Sequence, residues 1–280
     1  MMLPTAAGPI GIFDSGYGGL TVLSAIKALM PQYDYLYLGD NARAPYGSRS
    51  FDSVYSFTRE AVEWFFARGC HLVILACNTA SAKALRTIQQ RDLPALDPER
   101  RVLGVIRPTT EQVAQLTTTG HIGLLGTEGT IQSRSYEIEI NRLHPQLTIT
   151  GEACPMWVPL VENREHDKPG ADYFVQQHLE RLLDDDPLID TIILGCTHYP
   201  LLLDKIRQYL PAGTQVLTQG SFVAESLEDY LLRHPEMDAK CTKGGTVEYY
   251  TTDASDKFNR LASLFLQEEV DAMQIKLEKR

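Results

Sequence analysis

The sequence predicts an α/β protein built as two doubly wound lobes with parallel-rich sheets, and three observations predict it. Apolar β-forming runs alternate with amphipathic segments along most of the 280 residues. With 44% hydrophobic residues, that length can bury one large core or two smaller ones, and two domains or lobes fit it better. The third observation is a pair of matching cysteine frames, Leu72-Val73-Ile74-Leu75-Ala76-Cys77-Asn78-Thr79-Ala80-Ser81 and Thr191-Ile192-Ile193-Leu194-Gly195-Cys196-Thr197-His198-Tyr199-Pro200. The repeat is too short to prove duplication, but it suits two lobes facing each other.

Strands are expected near Ile10–Phe13, Tyr35–Leu38, Leu72–Leu75, Val102–Val105, His121–Leu125, Leu147–Thr150, Thr191–Leu194, Gln215–Leu217 and Thr246–Thr251, with helices between them. The best-bounded helix runs from Phe51 through Arg68, with Ser50 as N-cap and Gly69 as stop. Pro94 and Pro98 interrupt Leu93–Arg101, which reads as a loop, and the polar Asn163–Gly170 reads as a lid.

Each cysteine frame places a thiol at the carboxyl end of a buried parallel strand, where α/β folds bind ligands. Amide groups at a following helix start favour the thiolate, and two such thiols suit an acid and a base facing one substrate. Asn78, Thr79, Thr197 and His198 follow them and can bond the ammonium and carboxylate of an amino acid; His198 is also placed to assist the Cys196 thiol. A metal site is the weaker reading of Cys196-x-His198, since no third and fourth ligand motif accompanies it. Cys70, Cys154 and Cys241 have no such setting and read as structural.

Near the amino terminus, Asp14-Ser15-Gly16-Tyr17-Gly18-Gly19 follows a strand and opens a helix, so its amides can cradle an anion; the plainer alternative is a glycine turn capped by Asp14. A dinucleotide fingerprint would want glycine where Thr21 stands. Pro45-Tyr46-Gly47 reads as an exposed turn whose amides and Tyr46 hydroxyl can take a carboxylate, or as an ordinary surface turn.

A net charge of −10 argues against a general grip on nucleic acid and for an enzyme of small metabolites. Met1–Gly8 lacks the basic and apolar regions of a signal peptide, and no later stretch is long enough to span a bilayer, so the chain reads as cytoplasmic. Five cysteines with no Cys-x-x-Cys pair signal neither a disulfide framework nor a zinc knuckle.

Taken in order, Asp14-Ser15-Gly16-x-Gly18-Gly19, Pro45-Tyr46-Gly47, Ala76-Cys77-Asn78-Thr79-Ala80, Gly126-Thr127-x-Gly129-Thr130, Val158-Pro159-Leu160-Val161-Glu162 and Gly195-Cys196-Thr197-His198-Tyr199-Pro200 resemble the glutamate racemases of the aspartate/glutamate racemase superfamily. The resemblance runs from Gly11 to about Phe265. It implies a cofactor-independent enzyme with two similar α/β lobes and the active site in the cleft between them. The first lobe would be discontinuous, 1–106 with 218–280, and the second would be 107–217. It further implies Cys77 and Cys196 as the catalytic bases, with Asp14, Glu162 and His198 in supporting acid/base roles. Asp14, Ser15, Tyr46, Gly47, Asn78, Thr79, Thr127, Thr130, Thr197 and His198 would contact substrate. Glutamate as substrate, D-glutamate supply for peptidoglycan, and a homodimer come with the same resemblance. The segment Leu232–Lys243 looks longer than in a minimal member. The chemistry stands without the family: inverting an α-carbon removes a proton on one face and returns one on the other, which one thiolate and one thiol can do. A racemase of another amino acid such as aspartate, or a non-catalytic amino-acid-binding regulator, are the alternatives.

Overall fold

The computed structural model describes residues 6–277. Met1–Thr5 of the amino-terminal segment and the final three residues of the 218–280 portion lie outside the described residues. Ten strands form two sheets: β1 Ile10–Asp14, β2 Tyr35–Gly39, β3 Leu72–Leu75, β4 Arg101–Gly104, β5 His121–Gly126, β6 Thr148–Ala153, β7 Thr191–Gly195, β8 Gln215–Leu217, β9 Val247–Thr251 and β10 Ala272–Gln274. The first sheet has the order β10-β9-β2-β1-β3-β4 and the second β6-β5-β7-β8. Every pairing is parallel.

The two sheets share one plan. In β2-β1-β3-β4 and in β6-β5-β7-β8 the strand order reverses beside the first strand of the set, between β1 and β3 and between β5 and β7. Such a reversal sends the flanking helices to opposite faces and opens a crevice at the strands' carboxyl ends. Cys77 follows β3 and Cys196 follows β7, so each thiol stands beside the crevice of its own sheet. The chain leaves the first sheet after β4, completes the second with β8, and returns through the helix Gln219–Arg233 to add β9 and β10.

The central strands are apolar on both faces because both faces are covered. In β3, Leu72 and Ile74 join a core with Leu20, Leu23 and Ile26, while Val73 and Leu75 join Val54, Val62 and Phe65 on the other side. In β7 the same alternation sends Ile192 and Leu194 to one core and Ile193 to another. The helix Phe51–Ala67 is bounded as its sequence dictates: Ser50 Oγ accepts from Ser53 N at 3.2 Å, and Gly69 takes φ +85° after the last turn.

Several local expectations are corrected. Leu93–Leu96 is a helical turn running on from a π-type turn at Ile88–Asp92; Pro94 falls in its first turn, where no N–H is needed, so only the residues after it form a loop. Asn163–Gly170 is a hydrogen-bonded helix connection, not an open lid. Glu165 N donates to Leu160 O, Arg164 Nη2 reaches Arg260 O at 2.9 Å, and the helix Pro169–Asp185 has begun before Gly170. Leu232–Lys243 holds a short helix, Pro235–Asp238, and a bridge from Cys241 to Gly8. Strand β10 was not expected: it is three residues long, and only Ala272 of it is buried.

Asp190, just before β7, fastens the entry to the second sheet. Its carboxylate accepts from Thr117 Oγ1 at 2.6 Å, Thr118 N at 2.7 Å and Thr119 N at 2.9 Å. Burial alone would raise its pKa, but these donors outweigh burial and hold the group well below the usual carboxylate range. Asp190→Ala is therefore expected to lower stability by about 1–3 kcal/mol near neutral pH. A carboxylate with a depressed folded pKa stabilises above its unfolded pKa of about 3.9 and ceases to as pH falls through the folded value. Urea unfolding should accordingly show the gap between wild type and variant shrinking in acid.

Candidate active site

The carboxyl ends of the two sheets face one cavity of about 90 Å³, to which both Cys77 and Cys196 contribute. All the site residues expected from sequence line it except Asp14 and Thr130. A larger cavity of about 760 Å³ lies elsewhere, along the helices Ile106–Gln112 and Gln219–Arg233, and contains neither thiol. The site is assigned by the chemistry that converges, so the smaller cavity is the candidate.

On the first-sheet side, Cys77 ends the β3 run and is the N-cap of the helix Asn78–Lys83. Its Sγ accepts from Ala80 N at 3.5 Å and its thiol donates to Ser15 Oγ at 3.4 Å. Helix amides were expected to favour the thiolate here, and the surroundings reverse that. Burial, then the nearby Asp14 carboxyl, push the Cys77 thiol up to about 12, against the smaller pull of Ser15 and Ala80. Cys77 is thus the thiol whose surroundings favour the protonated form.

Asp14 stands behind Ser15. One carboxyl oxygen accepts from Gly19 N at 2.8 Å and Gly16 N at 3.3 Å, so two of the glycine turn's amides are already engaged by a side chain of the protein itself. Asp14 thus ties down the turn, as the plainer reading expects, and takes two of the amides that the cradle reading would offer to a ligand. The other oxygen, Oδ1, is buried with no partner, and burial raises the carboxyl's pKa.

On the second-sheet side the arrangement differs. Cys196 is followed by a 3₁₀ turn, Tyr199–Leu202, before any α-helix, so it caps nothing. Its partner is His198, whose Nδ1 lies 4.0 Å from Cys196 Sγ and whose Nε2 donates to Glu162 Oε1 at 3.1 Å. Burial disfavours a charged imidazole, but the bonds to Cys196 and Glu162 outweigh it and push His198 up to about 10. The imidazolium supplies the countercharge that a thiolate at Cys196 would need.

Hydroxyl and amide groups fill the rest of the wall. Thr79, Thr127 and Thr130 form a triangle of Oγ1 contacts of 3.0, 3.1 and 3.4 Å; Thr130 completes it from behind, and Thr127 also caps its own helix. Gly47 O accepts from Gly129 N at 2.8 Å, a backbone bond between the loop after β2 and the helix start after β5. Tyr46 departs from expectation: Pro45 and Ser48 on either side of it are exposed, as a surface turn predicts, but Tyr46 itself is buried and its hydroxyl donates to the Asp40 carboxylate. Its ring lines the cavity while its hydroxyl is already engaged.

Two residues escaped the sequence reading. Gln219 and Tyr136 bond the Asn78 side chain, with Asn78 Nδ2 donating to Gln219 Oε1 and Tyr136 OH donating to Asn78 Oδ1, both at 2.6 Å. The available signal for Gln219 was its place just past a strand end, two residues after β8, as Cys77 stands two residues after β3 and Cys196 one residue after β7. Among the described residues no three His, Cys, Asp or Glu side chains gather as metal ligands, and no helix is long and apolar enough to cross a membrane.

Comparison with known proteins agrees with this geometry. The family model for Asp/Glu/hydantoin racemase matches residues 20–226. A glutamate racemase of Ruegeria sp. is 40% identical over 271 residues, covering 93% of this chain and 97% of the relative. The crystal structure of a glutamate racemase isoform from Bacillus anthracis superposes with a TM-score of 0.87 at 35% identity, over 96% of this chain and 98% of that one. That of the Francisella tularensis glutamate racemase, in complex with D-glutamate, gives 0.86 at 28% identity, over 97% and 98%. With two parallel-sheet lobes, thiols at matching strand ends and this likeness over nearly its whole length, the chain belongs to the glutamate racemases of the Asp/Glu/hydantoin racemase family and is a racemase.

Proposed function

We propose that the protein interconverts L- and D-glutamate without a cofactor, with Cys77 and Cys196 as the two opposed bases. The observation that carries this reading is that both thiols line one small cavity from different sheets, in opposite electrostatic settings. A neutral thiol on one side and a thiol beside an imidazolium on the other are an acid and a base ready for one α-proton exchange. In one direction the Cys196 thiolate takes the α-proton while Cys77 delivers its own to the opposite face; in the other direction the roles exchange. Hydroxyl and amide donors at Ser15, Asn78, Thr79 and Thr197 would hold the α-carboxylate as charge develops beside it. His198 with Glu162, and Asp14 beside Cys77, would assist the two proton transfers.

The same reading takes 1–106 with 218–280 and 107–217 as the two functional lobes. It also takes the protein as a cytoplasmic homodimer that supplies D-glutamate for peptidoglycan. These parts rest on family resemblance, as do glutamate as substrate and the assignment of individual contacts.

The direct test is optical inversion of L-glutamate by purified protein with no added cofactor, with L-aspartate run in parallel; faster inversion of aspartate would move the protein to another substrate. Cys77→Ser and Cys196→Ser are each expected to abolish inversion, because a hydroxyl near neutral pH is a far weaker base than a thiolate. Each is expected to retain exchange of the α-proton of one enantiomer with solvent deuterium, and full racemization by either variant would sink the two-thiol mechanism.

Dialysis against a chelator should leave the rate unchanged; loss of activity restored by zinc would overturn the cofactor-free reading.

The third expectation concerns pH. A histidine raised to about 10 in the fold, against about 6.5 unfolded, contributes stability that is fully present below pH 6.5 and is lost as pH rises through 10. Denaturant unfolding of His198→Gln against wild type should therefore show a larger gap at pH 6 than at pH 10. An equal gap at both would mean that His198 is not charged in the fold.

A further inference from the structure

Asn78 belongs to a hydrogen-bond chain whose direction is fixed from one end. Gln219 Nε2 lies 3.2 Å from the Val105 carbonyl, which can only accept, so the nitrogen of the Gln219 amide must be on that side. The same nitrogen donates to Tyr136 OH at 2.6 Å and lies 3.1 Å from Thr109 Oγ1. Gln219 Oε1 is then left as an acceptor for Asn78 Nδ2, and Tyr136, having accepted from Gln219, donates to Asn78 Oδ1. Turning the Asn78 amide over would set two oxygens 2.6 Å apart. Its second N–H finds no acceptor among the described residues, on a residue that lines the cavity.

We propose that Gln219 and Tyr136 are positioning residues that fix the Asn78 amide so that it presents an N–H to a carboxylate oxygen of the bound amino acid. The inference rests on the proposed function in taking Asn78 to touch substrate. The chain also spans both places where the polypeptide passes between the sheets: Val105 and Thr109 lie on the way out, Gln219 on the way back, and Tyr136 on a helix of the second lobe. Buried amides and hydroxyls held this way lose little entropy when substrate arrives, because their orientation is set beforehand.

The test is a double-mutant cycle read in KM and kcat, on whichever amino acid the wild type inverts. A hydrogen bond to a charged group carries enough energy that Gln219→Met should raise KM for both enantiomers roughly tenfold or more, with a smaller change in kcat. Tyr136→Phe, which keeps the packing, should act in the same direction more weakly. In an Asn78→Ala background, itself raised in KM, neither substitution should raise KM further. The relay is overturned if both variants leave KM unchanged, if Asn78→Ala leaves KM unchanged, or if their effects multiply undiminished in that background. A purely structural role would lower the melting temperature without this pattern. The wild-type choice between glutamate and aspartate, read in the same assay, tests the substrate separately.

Discussion

The backbone at Gly18 lies so close to side chains of the opposite lobe that no side chain of its own could stand there. A Cβ there would collide with Thr197 Oγ1 and come within 2.5 Å of His198 Nδ1, groups on the opposite lobe. Gly129 is held to the same standard, since its Cβ would lie 2.7 Å from Gly47 O, the carbonyl that Gly129 N bonds. These contacts lie where the carboxyl ends of β1 and β3 meet those of β5 and β7, around the cavity of about 90 Å³. A carbanion beside a carboxylate is poorly stabilised in water, so a site that forms one must be small, dry and edged with donors. On the proposed mechanism the glycines serve the chemistry by what they omit, since a larger residue at either position would force its neighbours across the cleft to shift.

Given that approach, the sheet plan explains where the thiols are, and their neighbours explain why they differ. Both follow the third strand of a 2-1-3-4 set, so the fold treats them alike. The proposed two-thiol reaction requires that they not be alike, because two thiols of one protonation state cannot remove and return a proton in one step. The asymmetry comes from the residues around each sulfur. Cys77 is held neutral by burial and then by the carboxyl behind it, whereas Cys196 has beside it an imidazole that the bonds to Cys196 and Glu162 keep charged against burial. Substitutions at Asp14 or Glu162 would thus change the difference between the two sulfurs without touching either one.

Much of this was legible in the sequence because strand ends and glycine turns are local signals. Nine strands, the Ser50 cap and the Gly69 stop can be read from apolar runs and punctuation, as can the placing of both cysteines at strand ends. What escaped depends on contacts between distant residues. The frame after Cys77 looks like a thiolate site until Asp14 is brought beside it, and the turn at Ser15–Gly19 looks like an empty cradle until Asp14 occupies it. Tyr46 reads as a surface hydroxyl because nothing near it in sequence says that Asp40 will bend back to accept it. Strand β10 is too short, and too exposed beyond Ala272, to carry a pattern of its own; it exists because β9 offers it an edge.

Gln219 is the instructive case, because its position was regular and its chemistry was not. It stands after β8 as the cysteines stand after β3 and β7, yet a lone glutamine at a strand end is silent until its amide has partners. The partners come from three separate stretches of chain, and a single backbone carbonyl, Val105 O, determines the direction of every bond among them. A side-chain network oriented by the main chain cannot reverse without breaking the fold at that point. Sequence can reveal that donors surround a site; which way each donor points is a property of the folded network and becomes readable only when its one fixed end is in view.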